Sequence, residues 1–295
     1  MSLADGLSSQ WITVTETIPH VLHIELARKP VNAFPQDYWR AYGALFERLA
    51  AEGRDVRAAV VSSALPKLFT AGIDFADAAK ISSGGFSPAA GSGPPEPART
   101  ALALHHDLSA FQRAIGAPLR CAFPVIAAVH GLCLGLGVDI VAACDIRYAA
   151  EGAVFSVKEV DIGLAADVGS LAYLPKITGN HSLLHELAYT GANFSAEDAQ
   201  RLGLVSRIVP GGREGVVKEA LKLAGVIAGK SPIAVSGTKR ILLHARDHSI
   251  ADNLEYTAAW NVAALQTQDI PESLLATREK RAAKFAPLRK VAAKL

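Results

Sequence analysis

Residues 122 to 169 form a mostly apolar stretch of the chain, and four of its six carboxylates are not explained by packing alone: Asp139, Glu159, Asp161 and Asp167. Removing an ionised carboxylate from water without a partner is costly, so such a group either shifts its pKa or serves a function. Carboxyl groups with shifted pKa values are suited to act as general bases and general acids. The stretch therefore indicates proton-transfer chemistry.

The elements around these acids would place them beside free backbone amides. Residues Val125 to Val129 form a β-branched, apolar run that predicts a buried strand. A glycine-rich turn follows over residues 131 to 137, and the small apolar residues 138 to 143 predict a buried helix that carries Asp139 in its first turn. The N–H groups at such a helix start are free to bind an anion or a developing negative charge. A later loop brings Glu159, Asp161 and Asp167.

Three other interpretations of the stretch remain open at this point. Residues 122 to 144 are long enough for a membrane helix, although a proline, several glycines and Asp139 interrupt them. The glycines could belong to a dinucleotide fingerprint, but Ile140 stands where its third glycine should be. Finally, Asp139 could cap the helix while the acids of the loop are solvated.

Three segments of the chain resemble those of one enzyme superfamily. Residues 69 to 75 (FTAGIDF) and 130 to 149 (HGLCLGLGVDIVAACDIRYA) are similar to the two oxyanion-hole loops of the enoyl-CoA hydratase/isomerase superfamily, the crotonases. Residues 155 to 180 resemble the segment that bears its second acid, and the similarity covers nearly the whole chain. The run VKEVDIGLAADVG resembles the subgroup that isomerises dienoyl-CoA esters, because a hydratase carries glutamate in place of Asp139 and glycine in place of Asp167.

The resemblance implies an α/β fold, a crotonase-like spiral of ββα units with a C-terminal helical region for oligomerisation. We expect the core with its CoA-ester site in residues 1 to 212 and the helical region in residues 213 to 295, which in crotonases forms homotrimers, often paired into hexamers. Residues 82 to 99 are rich in Gly, Ser and Pro, which predicts a flexible insert.

The resemblance also implies the site. The backbone N–H groups of Ile73 and Leu136 are the expected oxyanion hole, and Leu136 would be strained there if the backbone requires a positive φ, since the family usually has glycine. Arg28 and Lys29 are candidate contacts to CoA phosphates, with solvated surface charges as an equally open alternative. The expected substrate-binding residues are Arg28, Lys29, Ala71, Gly72, Ile73, Asp74, Gly135 and Leu136.

The implied reaction moves a 3,5-diene into 2,4-conjugation with the thioester during β-oxidation of unsaturated fatty acids. It needs one proton removed at carbon 2 and one returned at carbon 6. We expect Glu159 to be the base at carbon 2, Asp167 the acid at carbon 6 and Asp139 a supporting carboxylate. A 2-enoyl-CoA hydratase and a non-catalytic acyl-CoA-binding homologue are the alternatives.

Composition sets further limits. The chain has 295 residues, of which half are apolar and one fifth charged, so it can bury a large core. A net charge of +2 demands no nucleic-acid partner. The three cysteines lack metal-ligand spacing and predict reduced core residues. We expect no metal, no membrane span and no cofactor, because coenzyme A is part of the substrate.

The two termini carry expectations about location. The N-terminal residues lack the apolar core of a secretory signal and the early arginines of a mitochondrial transit peptide. The ending Ala293, Lys294, Leu295 is a variant of the Ser-Lys-Leu address, which predicts the peroxisome and its import receptor as a partner.

Overall fold

The computed structural model describes residues 2–77 and 96–288. Six strands form the larger sheet and four form the smaller one. In chain order the strands are β1 (Ile12–Ile18), β2 (Val21–Leu26), β3 (Ala58–Ser63), β4 (Leu68–Thr70), β5 (Val125–Val129), β6 (Leu132–Leu134), β7 (Ile146–Ala150), β8 (Val154–Ser156), β9 (Phe194–Ser195) and β10 (Arg207–Val209).

The larger sheet has the spatial order β1-β2-β3-β5-β7-β10. β1 and β2 pair antiparallel, as the alternating pattern of residues 11 to 26 predicts, and every other neighbouring pair is parallel. β3 and β5 are buried along their whole lengths, which fits their runs of apolar residues, since a central parallel strand is covered on both faces.

The smaller sheet has the order β4-β6-β8-β9, with β4, β6 and β8 parallel and β9 antiparallel to β8. Our assignment of residues 131 to 137 entirely to a turn was wrong, because Leu132–Leu134 form β6. Strands of three residues show too little periodicity to be recognised in a sequence. They form here because each pairs with a segment that is distant along the chain.

Successive strands alternate between the two sheets. β3 and β4, β5 and β6, and β7 and β8 each place one strand in the larger sheet and the next in the smaller one. The sharp turn from β5 to β6 requires glycine at position 131. Gly131 has a φ of +57°, and a Cβ added to it would lie only 2.0 Å from the carbonyl oxygen of Lys67. The repeated alternation is the spiral of ββα units that we expected.

Helices surround both sheets. They are α1 (Gln36–Ala51), α2 (Pro97–Ile115), α3 (Ala117–Arg120), α4 (Leu136–Ala142), α5 (Ser170–Ile177), α6 (His181–Thr190), α7 (Ala196–Leu202), α8 (Gly212–Ala228), α9 (Pro232–His244), α10 (Ile250–Ala264) and α11 (Asp269–Glu279). α1 buries the aromatic face that its spacing predicts, including Trp39, Tyr42 and Phe46. Ser195 caps α7 through a capping box with Asp198.

The predicted insert ends earlier than its composition suggests. α2 begins at Pro97, so residues 97 to 99 belong to a helix rather than to the insert. Proline is favoured at the first helical position because its fixed φ suits a helix. The N–H that proline lacks would have no acceptor within the helix at that position. Residues 82 to 95 of the insert lie outside the described ranges.

Apolar residues at helical spacing form one stripe on α8 and another on α10, and the two stripes have different surroundings. The α8 stripe, with Val216, Ala220 and Ala224, is buried against the larger sheet. The α10 stripe is not buried: Ile250, Leu254, Val262 and Leu265 are 83%, 64%, 70% and 66% exposed. α8 therefore completes the core, and the proposed division after residue 212 stays a prediction.

The cysteines, the possible metal ligands and the length of the helices were each the subject of an expectation from the sequence. Cys121, Cys133 and Cys144 are buried and free, as expected of reduced core residues. Among residues 2–77 and 96–288, no set of three or more His, Cys, Asp or Glu residues is arranged to hold a metal ion. In the same ranges, no helix combines the length and the apolar character needed to cross a bilayer.

Gly137→Ala should destabilise the fold by about 1–3 kcal/mol, because the added Cβ would lie 2.6 Å from Thr70 Cγ2 and 3.1 Å from Cys133 Sγ. Gly179→Ala is the matched control, since a Cβ there meets nothing within 4 Å. Urea unfolding measures both variants. Equal stability of the two would contradict the close packing of α4 on β4.

Candidate active site

The ends of three neighbouring parallel strands build the site. After β4 the chain enters residues 71 to 74, after β6 it turns through Gly135 into α4, and after β8 it reaches Glu159, the first residue of a 3₁₀ turn. Parallel strands present their carboxyl ends at the same edge of a sheet, so the three connections lie side by side. Both predicted oxyanion loops and the predicted base are brought together at this edge.

The first expected oxyanion amide is that of Ile73. Ile73 forms a parallel bridge with Phe34, in which Phe34 N donates to Gly72 O (2.9 Å) and Asp74 N donates to Phe34 O (3.1 Å). The N–H of Ile73 itself therefore faces away from Phe34. Gly72 has a φ of +99°, and a Cβ built on it would lie 3.7 Å from Leu136 N, so the first loop lies against the second.

The second expected amide is that of Leu136, the first residue of α4. Gly135 N donates to Ser156 O (2.9 Å) and Val138 N donates to Gly135 O (2.7 Å), whereas Leu136 N has no acceptor within the described ranges. The positive φ of the turn, +52°, falls on Gly135 and not on Leu136. The condition under which Leu136 would be strained is therefore not met, and leucine keeps the donor without distorting the turn.

Asp139 is only 1% exposed. Its Oδ1 accepts hydrogen bonds from Ser170 N (2.5 Å) and Ser170 Oγ (2.8 Å) at the start of α5. Burial raises the pKa of Asp139 to about 6, and the negative charge of Asp167 adds to the rise against the opposing effect of the hydrogen bonds. The hydrogen bonds from Ser170 fix the Asp139 carboxylate in the core, where its charge can raise the pKa of Glu159.

Glu159 lies against the Gly135 turn that leads into α4. Its Oε1 would be 3.3 Å from a Cβ on Gly135, and its buried Oε2 has no hydrogen-bond partner among the described residues. Burial is the main reason that the pKa of Glu159 is raised to about 7, and the charges of Asp139 and Asp167 raise it further. A carboxyl with a pKa near neutrality and a free oxygen is suited to general-base catalysis.

Asp167 is at the open side of the cluster. The residue is exposed, but partial burial of its carboxyl still raises its pKa above the usual value. Its negative charge contributes to the raised pKa values of both Asp139 and Glu159. Asp161, the fourth acid, is exposed and pairs with Lys158 at 3.0 Å, so it takes no part in this cluster.

The two candidate phosphate contacts differ. The Arg28 guanidinium already has protein partners, since it lies 3.0 Å from Asp74 Oδ2, donates to Ala33 O (2.8 Å) and lies over the Trp11 ring. Lys29 is exposed. Arg28 therefore braces the loop that carries Ile73, and Lys29 remains the more accessible cation.

Sequence reasoning missed the residues that hold the acids in place. Ser170 binds Asp139, and Gln112 Nε2 donates to the backbone oxygen of Asp167 (2.6 Å). Tyr173 packs against Gly169, where a Cβ would lie 2.7 Å from its ring. Ordinary polar side chains give no signal in a single sequence when their partners are 31 and 55 residues away.

Comparison with known proteins places this geometry in one family. The family model described as enoyl-CoA hydratase/isomerase matches residues 99–287. The chain therefore belongs to the enoyl-CoA hydratase/isomerase family.

Two curated relatives and one solved structure illustrate the match. The chain is 45% identical over 285 residues to the mitochondrial Delta(3,5)-Delta(2,4)-dienoyl-CoA isomerase of Homo sapiens, covering 96% of this chain and 84% of that protein. It is 38% identical to the peroxisomal Delta(3,5)-Delta(2,4)-dienoyl-CoA isomerase of Arabidopsis thaliana, covering 91% and 93%. The enoyl-CoA hydratase structure from Bacillus anthracis superposes with a TM-score of 0.80 at 27% identity, covering 94% and 99%.

Asp139→Asn should stabilise the protein at pH 8 by up to about 3 kcal/mol, the free energy that corresponds to a pKa raised from 3.8 to about 6. A raised carboxyl pKa means that the folded state holds its proton more tightly, so the wild type loses stability as the pH rises from about 4 to 6. The gain should therefore disappear at pH 4.

Urea unfolding at pH 4 and pH 8 measures this difference. Asp161→Asn, which removes an exposed and paired charge, is the matched control and should change stability by no more than about 0.5 kcal/mol. A variant at Asp139 that is less stable than wild type at pH 8 would show that the buried charge supports the fold.

Proposed function

We propose that the protein is an isomerase that converts 3,5-dienoyl-CoA esters into 2,4-dienoyl-CoA esters in the β-oxidation of unsaturated fatty acids. The observation that carries the proposal is the cluster of Asp139, Glu159 and Asp167 beside the amides of Ile73 and Leu136. All three carboxyls have raised pKa values, and two of them are raised partly by the charges of the others. The identity of 45% to an enzyme named for this reaction supports the same conclusion.

The first step is removal of a proton from carbon 2 by Glu159. The electron pair of the C–H bond forms a double bond between carbons 1 and 2, and the thioester oxygen becomes an oxyanion. The N–H groups of Ile73 and Leu136 donate to that oxygen where the charge develops, and one such donor typically contributes about 3 kcal/mol to transition-state stabilisation. The pKa of Glu159, about 7, leaves roughly half of it ionised at pH 7 while matching its basicity to the proton transfer.

The second step returns a proton to carbon 6. The carbonyl re-forms, the double bonds move to carbons 2–3 and 4–5, and the π electrons between carbons 5 and 6 take the proton. Asp167 is the acid for this step, since its raised pKa favours the protonated form and its exposed position lets it exchange protons with water. Asp139 supports the reaction by raising the pKa of Glu159.

Hydration of a 2-enoyl-CoA is the second candidate, because hydratases belong to the same family. It requires two acids that hold and split one water. Asp139 is almost fully buried and its Oδ1 is held by Ser170, which disfavours a role in holding water beside Glu159.

Purified protein with a 3,5-dienoyl-CoA should therefore give the ultraviolet absorbance of a 2,4-dienoyl thioester, with little hydration of a 2-enoyl-CoA in a parallel assay. Hydration without isomerisation would overturn the proposal.

Glu159→Gln and Asp167→Asn should separate the two steps. Glu159→Gln should abolish both isomerisation and exchange of the carbon 2 protons with solvent deuterium, because the base is lost. Asp167→Asn should abolish isomerisation while exchange at carbon 2 and CoA-ester binding persist. NMR of the recovered substrate measures the exchange. Unchanged turnover of Asp167→Asn would remove this residue from the mechanism.

The substrate would enter with its CoA moiety near Lys29, whose exposed ammonium is free to meet a phosphate. Arg28 contributes through its ion pair with Asp74, next to Ile73. The acyl-CoA is itself the carrier of coenzyme A, and the proposed steps use no further cofactor.

A homotrimer, or a hexamer of two trimers, is the proposed assembly. It is supported by the exposed apolar side chains of α9, α10 and α11, which include Leu242, Leu254, Val262 and Leu274.

Sedimentation should give three or six times the chain mass of 31.0 kDa, and Leu254→Glu should lower that mass. Tyr189→Glu changes an exposed aromatic residue on α6 and should leave the mass unchanged. A wild-type monomer at micromolar concentration would contradict the assembly.

A peroxisomal location through Ala293, Lys294 and Leu295 stays a prediction. The three residues lie outside the described ranges. The relatives are named as mitochondrial in Homo sapiens and peroxisomal in Arabidopsis thaliana, so kinship alone favours neither compartment.

A further inference from the structure

The backbone that carries Asp167 is held from outside the site by α2. Gln112, one turn before the end of this helix, donates from Nε2 to the carbonyl oxygen of Asp167 at 2.6 Å. Gln112 is exposed, and its side chain contributes to neither apolar core cluster. Within the described residues, the side chain of Gln112 is therefore positioned mainly by this hydrogen bond.

A second contact from the same end of α2 reaches the same segment. A Cβ on Gly116, which follows α2, would lie 2.7 Å from Tyr173 Oη, and a Cβ on Gly169 would lie 2.7 Å from Tyr173 Cε2. The Tyr173 ring thus fills the space between the end of α2 and Gly169, two residues after Asp167. Displacement of Gly169 would therefore disturb the packing of Tyr173 against the end of α2.

The far end of the segment is fixed by a different partner. Ser170 N and Oγ both donate to Asp139 Oδ1, which anchors the start of α5 inside the core. Between this anchor and the loop that follows Glu159, the hydrogen bond from Gln112 fixes the peptide of Asp167. Rotation of that peptide would turn the Asp167 carboxyl away from the other acids.

We propose that Gln112 is a positioning residue that orients the Asp167 carboxyl for proton delivery to carbon 6. The proposal rests on the proposed isomerase function. Gln112 acts through Asp167 and not through Glu159, because its hydrogen bond goes to the Asp167 backbone while Glu159 is positioned by the turn that follows β8. Loss of Gln112 should therefore slow the second proton transfer and spare the first.

Gln112→Met tests this separation, since it keeps the length of the side chain and removes the donor. Loss of a hydrogen bond worth about 0.5–1.5 kcal/mol corresponds to a decrease in kcat of about two- to twelvefold. KM and the exchange of carbon 2 protons with solvent deuterium should stay within about twofold of wild type. Arg113→Ala, at the neighbouring exposed position of α2, is the control and should change neither step.

Three outcomes would overturn the inference. Equal decreases in isomerisation and carbon 2 exchange would indicate a general structural effect of Gln112, and a thermal melt would reveal the accompanying loss of stability. An unchanged kcat would show that Asp167 needs no such support. If the wild type exchanged carbon 2 protons but did not isomerise the diene, the proposed function itself would fail, and the role of Gln112 with it.

Discussion

The site depends on one constraint, the parallel register of β4, β6 and β8. Thr70 pairs with Cys133, and Leu134 with Ser156, so the three strands end within one residue of one another. The chain leaves β4 for Ile73, β6 for Leu136 and β8 for Glu159, and the register alone brings two amide donors and a base to one edge. A shift of one strand by one residue would reverse the direction of its side chains and separate these groups.

The second requirement is that the fold tolerates three acids in a small space. Burial and mutual repulsion both favour the neutral forms, and they raise the pKa of Asp139 to about 6 and that of Glu159 to about 7. Ser170 offsets part of this cost at Asp139 through two hydrogen bonds. The burial and the repulsion that oppose folding together give Glu159 a pKa close to neutrality, which is the property a base needs at that pH.

The sequence revealed the parts of the molecule that local patterns determine. β5 and α1 follow from runs and spacings of apolar residues, and the acids of the site stand out because their neighbours are apolar. β4 and β6 were missed, since strands of three residues are defined by their partners in the sheet. The backbone conformation of Leu136 could not be predicted either, because the sequence does not show that the positive φ of the turn lies at Gly135 and not at Leu136. Gln112 could not be found either, since its partner lies 55 residues away.

The central claim is that two separate groups exchange protons at the two ends of the diene. The most direct measurement is the position of deuterium in the product after turnover of a 3,5-dienoyl-CoA in deuterium oxide, read by NMR. Glu159 at carbon 2 and a solvent-exposed Asp167 at carbon 6 predict a deuterium from solvent at carbon 6 of the 2,4-dienoyl-CoA. A product with only the substrate's own hydrogen at carbon 6 would mean that one group carries the proton across, and would contradict this account.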